Sequence, residues 1–328
     1  MQSRTGHLVA LFVAGLLVAA CSSEENGTPS TDPVVVAGPS FGAGGLILAS
    51  TGVDSANASL TAIDPTTLVA VELLPSEFRV SVIASNGATF VLTAAPDGPD
   101  ALFEMRDGEV APLPAASGQV ALAPAVAPDG RIVWEGRTSD SATRQLLIST
   151  REGPPTVLHE TGSDIGLKTL GPDGSLGYVE TDPNNGSRRF TVVDAAGAVR
   201  SVSSADIDGA YPAVPHWGPS GVIALVEQVR PDNEFPPELW RTRLLDAATL
   251  ETIAVSPQGW NVLAWVGDVL YLARRVDPHT TEIATWTGTG EPVPIGTVGF
   301  EIFGGTFIRA DAVASVTGDL SDAPTLPR

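Results

Sequence analysis

The chain has 328 residues, of which 43% are hydrophobic and 17% are charged, so it can bury a sizeable core and global disorder is excluded. Its 38 acidic and 18 basic residues give a formal net charge of −20, and so acidic a field repels phosphate backbones, which argues against nucleic-acid binding. The single cysteine excludes a disulfide within the chain. With 34 glycines and 27 prolines, the composition fits many turns between short apolar runs better than long surface helices.

The N-terminus has the pattern of an export signal. Arg4 supplies a positive charge, and residues 8–20 then form a run of 13 uncharged residues. Such a run is shorter than the roughly 20 residues that span a bilayer, but it fits the apolar region of a signal peptide. It ends in Leu17-Val18-Ala19-Ala20-Cys21, which resembles the lipobox of bacterial lipoproteins. The resemblance implies cleavage before Cys21 and diacylation of its sulfur; the alternative is an ordinary cleaved signal with an incidental cysteine.

Three segments are therefore predicted. Residues 1–20 are a lipoprotein signal peptide, residues 21–33 are a disordered tether, and residues 34–328 are a single folded domain. The tether is expected to be disordered because it consists of small, polar and proline residues with no apolar period. We expect the chain to be exported and lipid-anchored to a bacterial membrane, facing the periplasm or the cell exterior.

A short turn motif recurs along the folded part. It reads Val126-Ala127-Pro128-Asp129-Gly130, then Leu170-Gly171-Pro172-Asp173-Gly174, then Trp217-Gly218-Pro219-Ser220-Gly221. A bulky residue precedes each turn, and an apolar run such as Ile132-Val133-Trp134 follows it. Extended along the chain, the pattern has seven such bulky anchors, spaced by 42, 43, 44, 47, 48 and 38 residues: Phe41, Ile83, Val126, Leu170, Trp217, Trp265 and Phe303.

Two further strand-like runs follow the apolar run in each central unit, so a unit of about 40–45 residues contains four short strands. This is the pattern of a β-propeller blade, and we predict an all-β fold, a β-propeller of four-stranded blades. Seven anchors favour seven blades. Six is the alternative, because only 25 residues follow Phe303. Ring closure is expected to borrow a strand from Val34-Val35-Val36.

The motif also carries a family resemblance. Residues 127–134, Ala-Pro-Asp-Gly-Arg-Ile-Val-Trp, resemble the Ser-Pro-Asp-Gly-Lys-x-Ile-Ala-Phe repeat of the TolB-like, WD-repeat-like β-propellers. The match covers roughly residues 118 to 256 and is specific for architecture, not for activity. TolB itself carries an α/β domain before its propeller, for which this sequence has no counterpart, so the resemblance does not extend to a role in the Tol–Pal envelope system.

Acidic residues accumulate in the connections between the second and third strands, which in a propeller emerge on one face. The residues predicted to form a binding rim there are Asp97, Asp140, Asp182, Asp232, Glu234, Phe235 and Asp277, with Asp54 and Asp100 in equivalent connections. Such a rim could receive a cation or a basic partner. The alternative is that each Asp is simply a favoured turn residue.

The usual signatures of catalysis and of cofactor binding are absent from the sequence. His159, His216 and His279 lie in different units without metal-ligand spacing, and the calcium-like stretches at residues 182–186 and 206–209 lack the glutamate that completes an EF-hand loop. Neither a Gly-x-Ser-x-Gly motif nor a phosphate-binding glycine loop occurs. We therefore predict no cofactor, no metal and no nucleic-acid partner.

These observations favour a non-catalytic, membrane-anchored module of the cell envelope that binds a protein or a glycan. The tryptophans of the sixth unit, Trp260 and Trp286, are candidates for a glycan surface. The alternative is a propeller enzyme, a glycan lyase or hydrolase, that uses carboxylates near the central channel. Two or three carboxylates converging within about 10 Å there would favour the enzyme, and acids spread around the rim would favour the binding module.

Overall fold

The structure is a computed structural model, and it describes residues 44–52, 57–88, 90–95, 101–113, 119–127, 129–138, 143–149, 154–218, 220–229, 239–318 and 325–326. All of these belong to the unit formed by residues 37–328. The predicted signal peptide, Cys21, the tether, the Val34–Val36 run and Phe41 lie outside them. No helix in the described ranges has the length and apolar character needed to cross a membrane.

The described strands form six antiparallel sheets arranged as the blades of a β-propeller, so the predicted propeller of four-stranded blades is confirmed. Blade 1 contains β1 (Leu46–Gly52), β2 (Ser59–Ile63) and β3 (Ala70–Leu74), and blade 2 contains β4 (Val82–Ser85), β5 (Phe90–Ala94), β6 (Ala101–Arg106) and β7 (Glu109–Pro112). Blade 3 contains β8 (Gln119–Val126), β9 (Ile132–Thr138), β10 (Arg144–Ser149) and β11 (Thr156–Thr161), and blade 4 contains β12 (Asp164–Leu170), β13 (Leu176–Thr181), β14 (Arg188–Val193) and β15 (Val199–Ser203). Blade 5 contains β16 (Tyr211–Trp217), β17 (Val222–Gln228), β18 (Trp240–Asp246) and β19 (Thr252–Val255), and blade 6 contains β20 (Asn261–Val266), β21 (Val269–Asp277), β22 (Thr280–Trp286) and β23 (Val293–Val298). The chain then continues through β24 (Glu301–Ile308), helix α1 (Ala310–Thr317) and β25 (Thr325–Leu326), and short 3-10 helices lie at Ser76–Phe78 and Ser204–Ile207.

The preferred prediction of seven blades is wrong, because the described strands make six. The seventh anchor, Phe303, lies on β24, and β24 does not begin a new blade. It pairs antiparallel with β1, with Thr306 opposite Leu48, and forms the innermost strand of blade 1. Seven anchors therefore build six blades, since the last one belongs to the strand that completes the first blade. The strand that closes the ring comes from the C-terminal part of the chain.

The innermost strands follow one another around the ring in the order β24, β4, β8, β12, β16, β20, and each contacts the next. The bulky anchors join successive blades at the turns that follow these strands. A Cβ atom on Gly171 would lie 2.7 Å from Cε2 of Trp217, and one on Gly218 would lie 2.8 Å from Cε2 of Trp265. Glycine is required at both turns because the anchor tryptophan of the next blade packs directly against the backbone.

Side chains from turns and from α1 fill several of the interfaces between blades. Leu68 lies in the apolar core that blades 6 and 1 share, and Leu250 in the core that blades 4 and 5 share. Ala312 and Val316 of α1 belong to the core of blades 1 and 2. The core between blades 3 and 4 is smaller, with the buried members Val133, Leu146, Ile165, Leu176 and Tyr178. An open cleft lies over it.

Candidate binding cleft between blades 3 and 4

Two of the predicted rim residues, Asp182 and Asp277, lie in described turns, and both carboxylates bond to their own turn. Asp182 Oδ1 accepts hydrogen bonds from the backbone N–H of Asn184 at 2.8 Å and from its Nδ2 at 3.0 Å. Asp277 Oδ1 accepts one from the backbone N–H of His279 at 2.8 Å, and that bond lowers the pKa of Asp277. The two aspartates therefore shape connections between strands.

The other predicted site residues, Cys21, Asp97, Asp140, Asp232, Glu234 and Phe235, lie outside the described residues, as do Asp54 and Asp100. Their binding role stays a prediction. Within the described ranges, no three His, Cys, Asp or Glu side chains gather closely enough to hold a metal ion.

The sequence reasoning missed a set of buried glutamates. Three of them lie on the second strands of blades 3, 4 and 5, and another lies on β24. Each is paired with an arginine: Glu135 with Arg144 at 3.6 Å, Glu180 with Arg189 at 2.6 Å, Glu227 with Arg243 at 2.9 Å, and Glu301 with Arg275 at 3.1 Å. For Glu135, Glu180 and Glu227, the signal that could have found them is a glutamate in or after an apolar run, with an arginine in the third strand that follows. A buried ion pair of this kind is costly to break, because the remaining charge is then left uncompensated.

The cleft between blades 3 and 4 has a volume of about 770 Å³, which is in the range of ligand-binding pockets. Its blade 4 wall consists of alternate residues of β13, β14 and β15, as expected because successive side chains of a strand point to opposite faces. That wall is formed by Leu176, Tyr178 and Glu180, by Arg189, Thr191 and Val193, and by Val199 and Ser201. The blade 3 wall is formed by Arg131, Val133, Leu146, Ile148, Leu158 and His159.

A β-bulge in β11 turns two consecutive residues toward this cleft. Leu146 is opposite His159 and Leu147 is opposite Val157, so Leu158 is an extra residue in the pairing. Adjacent strand residues ordinarily face opposite sides of a sheet, and a bulge changes that alternation locally. As a result both Leu158 and His159 line the cleft, and Leu158 remains 49% exposed.

One end of the cleft, which we call the histidine end, contains His159, Tyr178, Glu180 and Arg189. Arg189 Nη2 donates to Glu180 Oε2 at 2.6 Å. His159 Nε2 lies 3.9 Å from Glu180 Oε1, and its ring centroid lies 6.2 Å from that of Tyr178. Burial, reinforced by the charge of Glu180, raises the pKa of Tyr178 to about 12. Tyr178 therefore keeps its proton at physiological pH.

The opposite end, which we call the turn end, contains Asp129, Arg131, Asp173 and Asp194. Asp129 pairs with Arg131 at 2.7 Å. Burial opposes its ionisation, but the hydrogen bonds from Arg131 outweigh that effect and lower the pKa of Asp129. The backbone N–H of Ser175 lowers the pKa of Asp173. Leu176 and Glu180, four residues apart on β13, place the two ends about 13 Å from each other at about 3.3 Å per residue.

A buried hydroxyl lies between the two ends. Thr191 is opposite Tyr178 in the β13–β14 pairing and is only 3% exposed. Its Oγ1 has no hydrogen-bond partner in the described part of the protein. A buried polar group without a partner costs about 1–3 kcal/mol, so this hydroxyl lowers the stability of the protein.

The turn between the third and fourth strands of blade 4 explains why the cleft is open. In blades 1 and 5 this turn begins with an aspartate and places a leucine with positive φ, Leu68 or Leu250, into the interface with the preceding blade. In blade 4 the turn that begins at Asp194 is one residue shorter, and Gly197 has the positive φ. A glycine has no side chain to fill the gap.

No protein-family model and no curated protein sequence matches this chain. Among solved structures it is similar to a TolB-like protein from Agrobacterium tumefaciens, with a TM-score of 0.52 and 12% identity over 79% of this chain and 93% of that one. It is similar to a protein of unknown function from Bacteroides caccae, with a TM-score of 0.50 and 11% identity over 81% of this chain and 99% of that one. Virginiamycin B lyase from Staphylococcus aureus gives a TM-score of 0.46 and 13% identity over 75% and 84% of the two chains. The first two likenesses show the β-propeller fold.

Replacing Thr191 tests whether its hydroxyl lacks a hydrogen-bond partner. We expect Thr191→Val to raise the free energy of unfolding by about 1 kcal/mol, because the substitution removes a buried polar group without a partner. The matched control is Thr242→Val on β18, where Oγ1 donates to the Trp260 carbonyl at 3.0 Å; this variant should lose about 1–2 kcal/mol. Denaturant unfolding measures both. An equal loss in the two variants would show that Thr191 is already hydrogen-bonded.

Proposed function

We propose that this protein is a non-catalytic binding module of a bacterial cell envelope and that it holds a segment of a partner protein in the cleft between blades 3 and 4. The observation that carries the proposal is the cleft itself, an opening of about 770 Å³ with an apolar middle and a polar group of residues at each end. Ligand sites in proteins commonly combine an apolar lining with a few placed polar groups.

The arginine pairs support binding rather than acid–base catalysis. A general acid needs a carboxyl group whose pKa is raised toward the working pH; burial raises the pKa of a carboxyl group, and a neighbouring arginine acts against that effect. In the cleft, the hydrogen bonds from Arg131 outweigh burial and lower the pKa of Asp129, and Glu180 forms an ion pair with Arg189. Burial does raise the pKa of Glu301, so Glu301 is the residue on which a glycan lyase or hydrolase would most depend. It is bonded to Arg275 and is not part of the cleft.

A protein partner fits the cleft better than a glycan does. Sugars are recognised largely by stacking on open aromatic faces, but Tyr178, the aromatic ring in the cleft, is buried, as are Trp260 and Trp286. Beside its charged groups, the cleft exposes two large aliphatic side chains, Leu158 on one side and Val199, 66% exposed, on the other. Aliphatic side chains of a partner can bury their surface against them.

The cellular location in this proposal rests on the sequence pattern of the N-terminus. Residues 1–20 would direct export, Cys21 would carry the lipid, and residues 21–33 would hold the propeller away from the membrane. Each buried methylene of an acyl chain contributes about 0.8 kcal/mol, so more than one chain would give stable anchoring.

Site-specific photo-crosslinking tests the cleft in the cells that produce the protein. A photoreactive amino acid at Leu158 should form a discrete adduct with one partner protein. The matched control is Ile253, which is the extra residue of the equivalent bulge in β19 and is 55% exposed; it should form no adduct of that size. Identical adduct patterns from the two positions, or none from Leu158, would refute the cleft as the partner site.

The lipid anchor is tested separately by Cys21→Ala. Without the sulfur that carries the lipid, the protein should move from the membrane fraction to the soluble fraction when cells are fractionated. A Ser22→Ala variant, adjacent in sequence but without a thiol to lose, should remain with the membrane. Membrane retention of the Cys21→Ala protein would contradict the anchor.

A further inference from the structure

We infer that the partner segment binds as an extended strand added to β15, the outer edge of blade 4, and that it carries a basic residue close to an aliphatic one. The inference rests on the proposed function and specifies its binding mode and the chemistry of the partner. Addition of an extended peptide to a sheet edge is a recurring recognition mode, in which the main chain supplies hydrogen bonds and alternate side chains supply specificity.

The outer edges of the blades differ in how well they suit strand addition. The outer strands of blades 3, 5 and 6 are interrupted by bulges at Leu158, Ile253 and Ile295, and bulges hinder edge-to-edge pairing. In blade 2 the regular outer strand, β7, is short and ends in Pro112, which has no N–H to donate. Blade 4 has a regular outer strand of five residues, β15, whose pairing with β14 is continuous.

One blade of this fold already holds a fifth strand. In blade 1, β25 pairs antiparallel with the outer strand β3, with Thr325 opposite Val71 and Leu326 opposite Ala70. β3 has a bulge of its own at Leu73, and β25 pairs only with the regular stretch before it. The geometry of a blade in this ring therefore leaves room for a strand along a regular part of its outer edge. Among the described strands, β15 has no neighbour on its outer side.

The outer edge of blade 4 borders the cleft. Val199 and Ser201 of β15 both line it, so an added strand would place every second side chain on the same side of the sheet, toward the cleft. Such side chains would meet the exposed Leu158 and Val199 at the rim. An aliphatic residue matches the rim, because both exposed side chains are aliphatic.

The charge of the cleft favours a basic partner. Four carboxylates and two arginines line the cleft. The two arginines form ion pairs with Asp129 and Glu180. Asp173 and Asp194 remain at the turn end; each accepts backbone hydrogen bonds within its own turn. The positive charge of Arg200 contributes to the lowered pKa of Asp173, but it contributes in the same way to that of Asp246 in blade 5. The turn end is therefore net acidic, and the chain's charge of −20 adds a long-range attraction for basic segments.

A phage library of random seven-residue peptides, selected on the purified protein, identifies the sequence that the cleft prefers. We expect enrichment of Lys or Arg within two positions of Val, Ile or Leu. One enriched peptide is then synthesised, and hydrogen exchange is measured with and without it. Strand addition should slow exchange in β15 and leave the equivalent outer strand of blade 5, β19, unchanged.

The double variant Asp173→Asn with Asp194→Asn tests the charge argument. Asparagine is also favoured in turns, so the turns should persist while two negative charges are lost. We expect the affinity for the basic peptide to fall about tenfold at low salt, and the same peptide with its basic residue replaced by glutamine should bind both proteins alike.

The outcomes separate this inference from the proposed function. Protection of the cleft strands β13 and β14 without β15, or enrichment of peptides lacking a basic residue, would overturn the binding mode or the charge while leaving the cleft as the partner site. Protection only at strands remote from the cleft would overturn both. Failure of the library to yield any binder would overturn the short-strand mode, and the crosslink from Leu158 would still decide whether the cleft binds a partner.

Discussion

The pairing of β24 with β1 is the contact on which the rest of this structure depends. It joins residues 249 to 262 positions apart in the chain, so the ring closes only when the C-terminal part has been made. Once β24 takes the innermost place in blade 1, six innermost strands surround one axis and each blade is held between two others. α1, which follows β24, then packs its Ala312 and Val316 into the core between blades 1 and 2.

In a closed ring every blade packs against two others, and the interfaces between the blades of this chain are filled in different ways. Leu68 and Leu250 fill two interfaces from turns, whereas blade 4 has Gly197 at the corresponding turn position and leaves its interface with blade 3 partly open. A bulge at Leu158 and the hydroxyl of Thr191 without a partner occur at that same interface. Local departures that cost stability are typical of functional sites. Their coincidence is the reason for assigning the binding role to this cleft.

The sequence was sufficient for the architecture because turn chemistry and strand period are local properties. It indicated the four-stranded unit and the propeller, but the blade count came out one too high, because Phe303 has the anchor pattern while its strand completes blade 1 through a pairing that spans the chain. The cleft could not be predicted, since alternation in a strand does not reveal how well two blades pack. One local signal was present: Asp64 and Asp246 each begin a turn that ends in leucine, and the turn from Asp194 has glycine instead.

The most direct measurement is the free energy of unfolding after the turn of blade 5, residues 246–251 with the sequence Asp-Ala-Ala-Thr-Leu-Glu, replaces residues 194–198 of blade 4. If the cleft is open because its turn lacks a leucine, the grafted leucine becomes buried between blades 3 and 4. Burying one leucine side chain contributes roughly 1.5–3 kcal/mol, so the grafted protein should be more stable by about 2 kcal/mol. A protein that is less stable than the parent, or equally stable, would contradict the account.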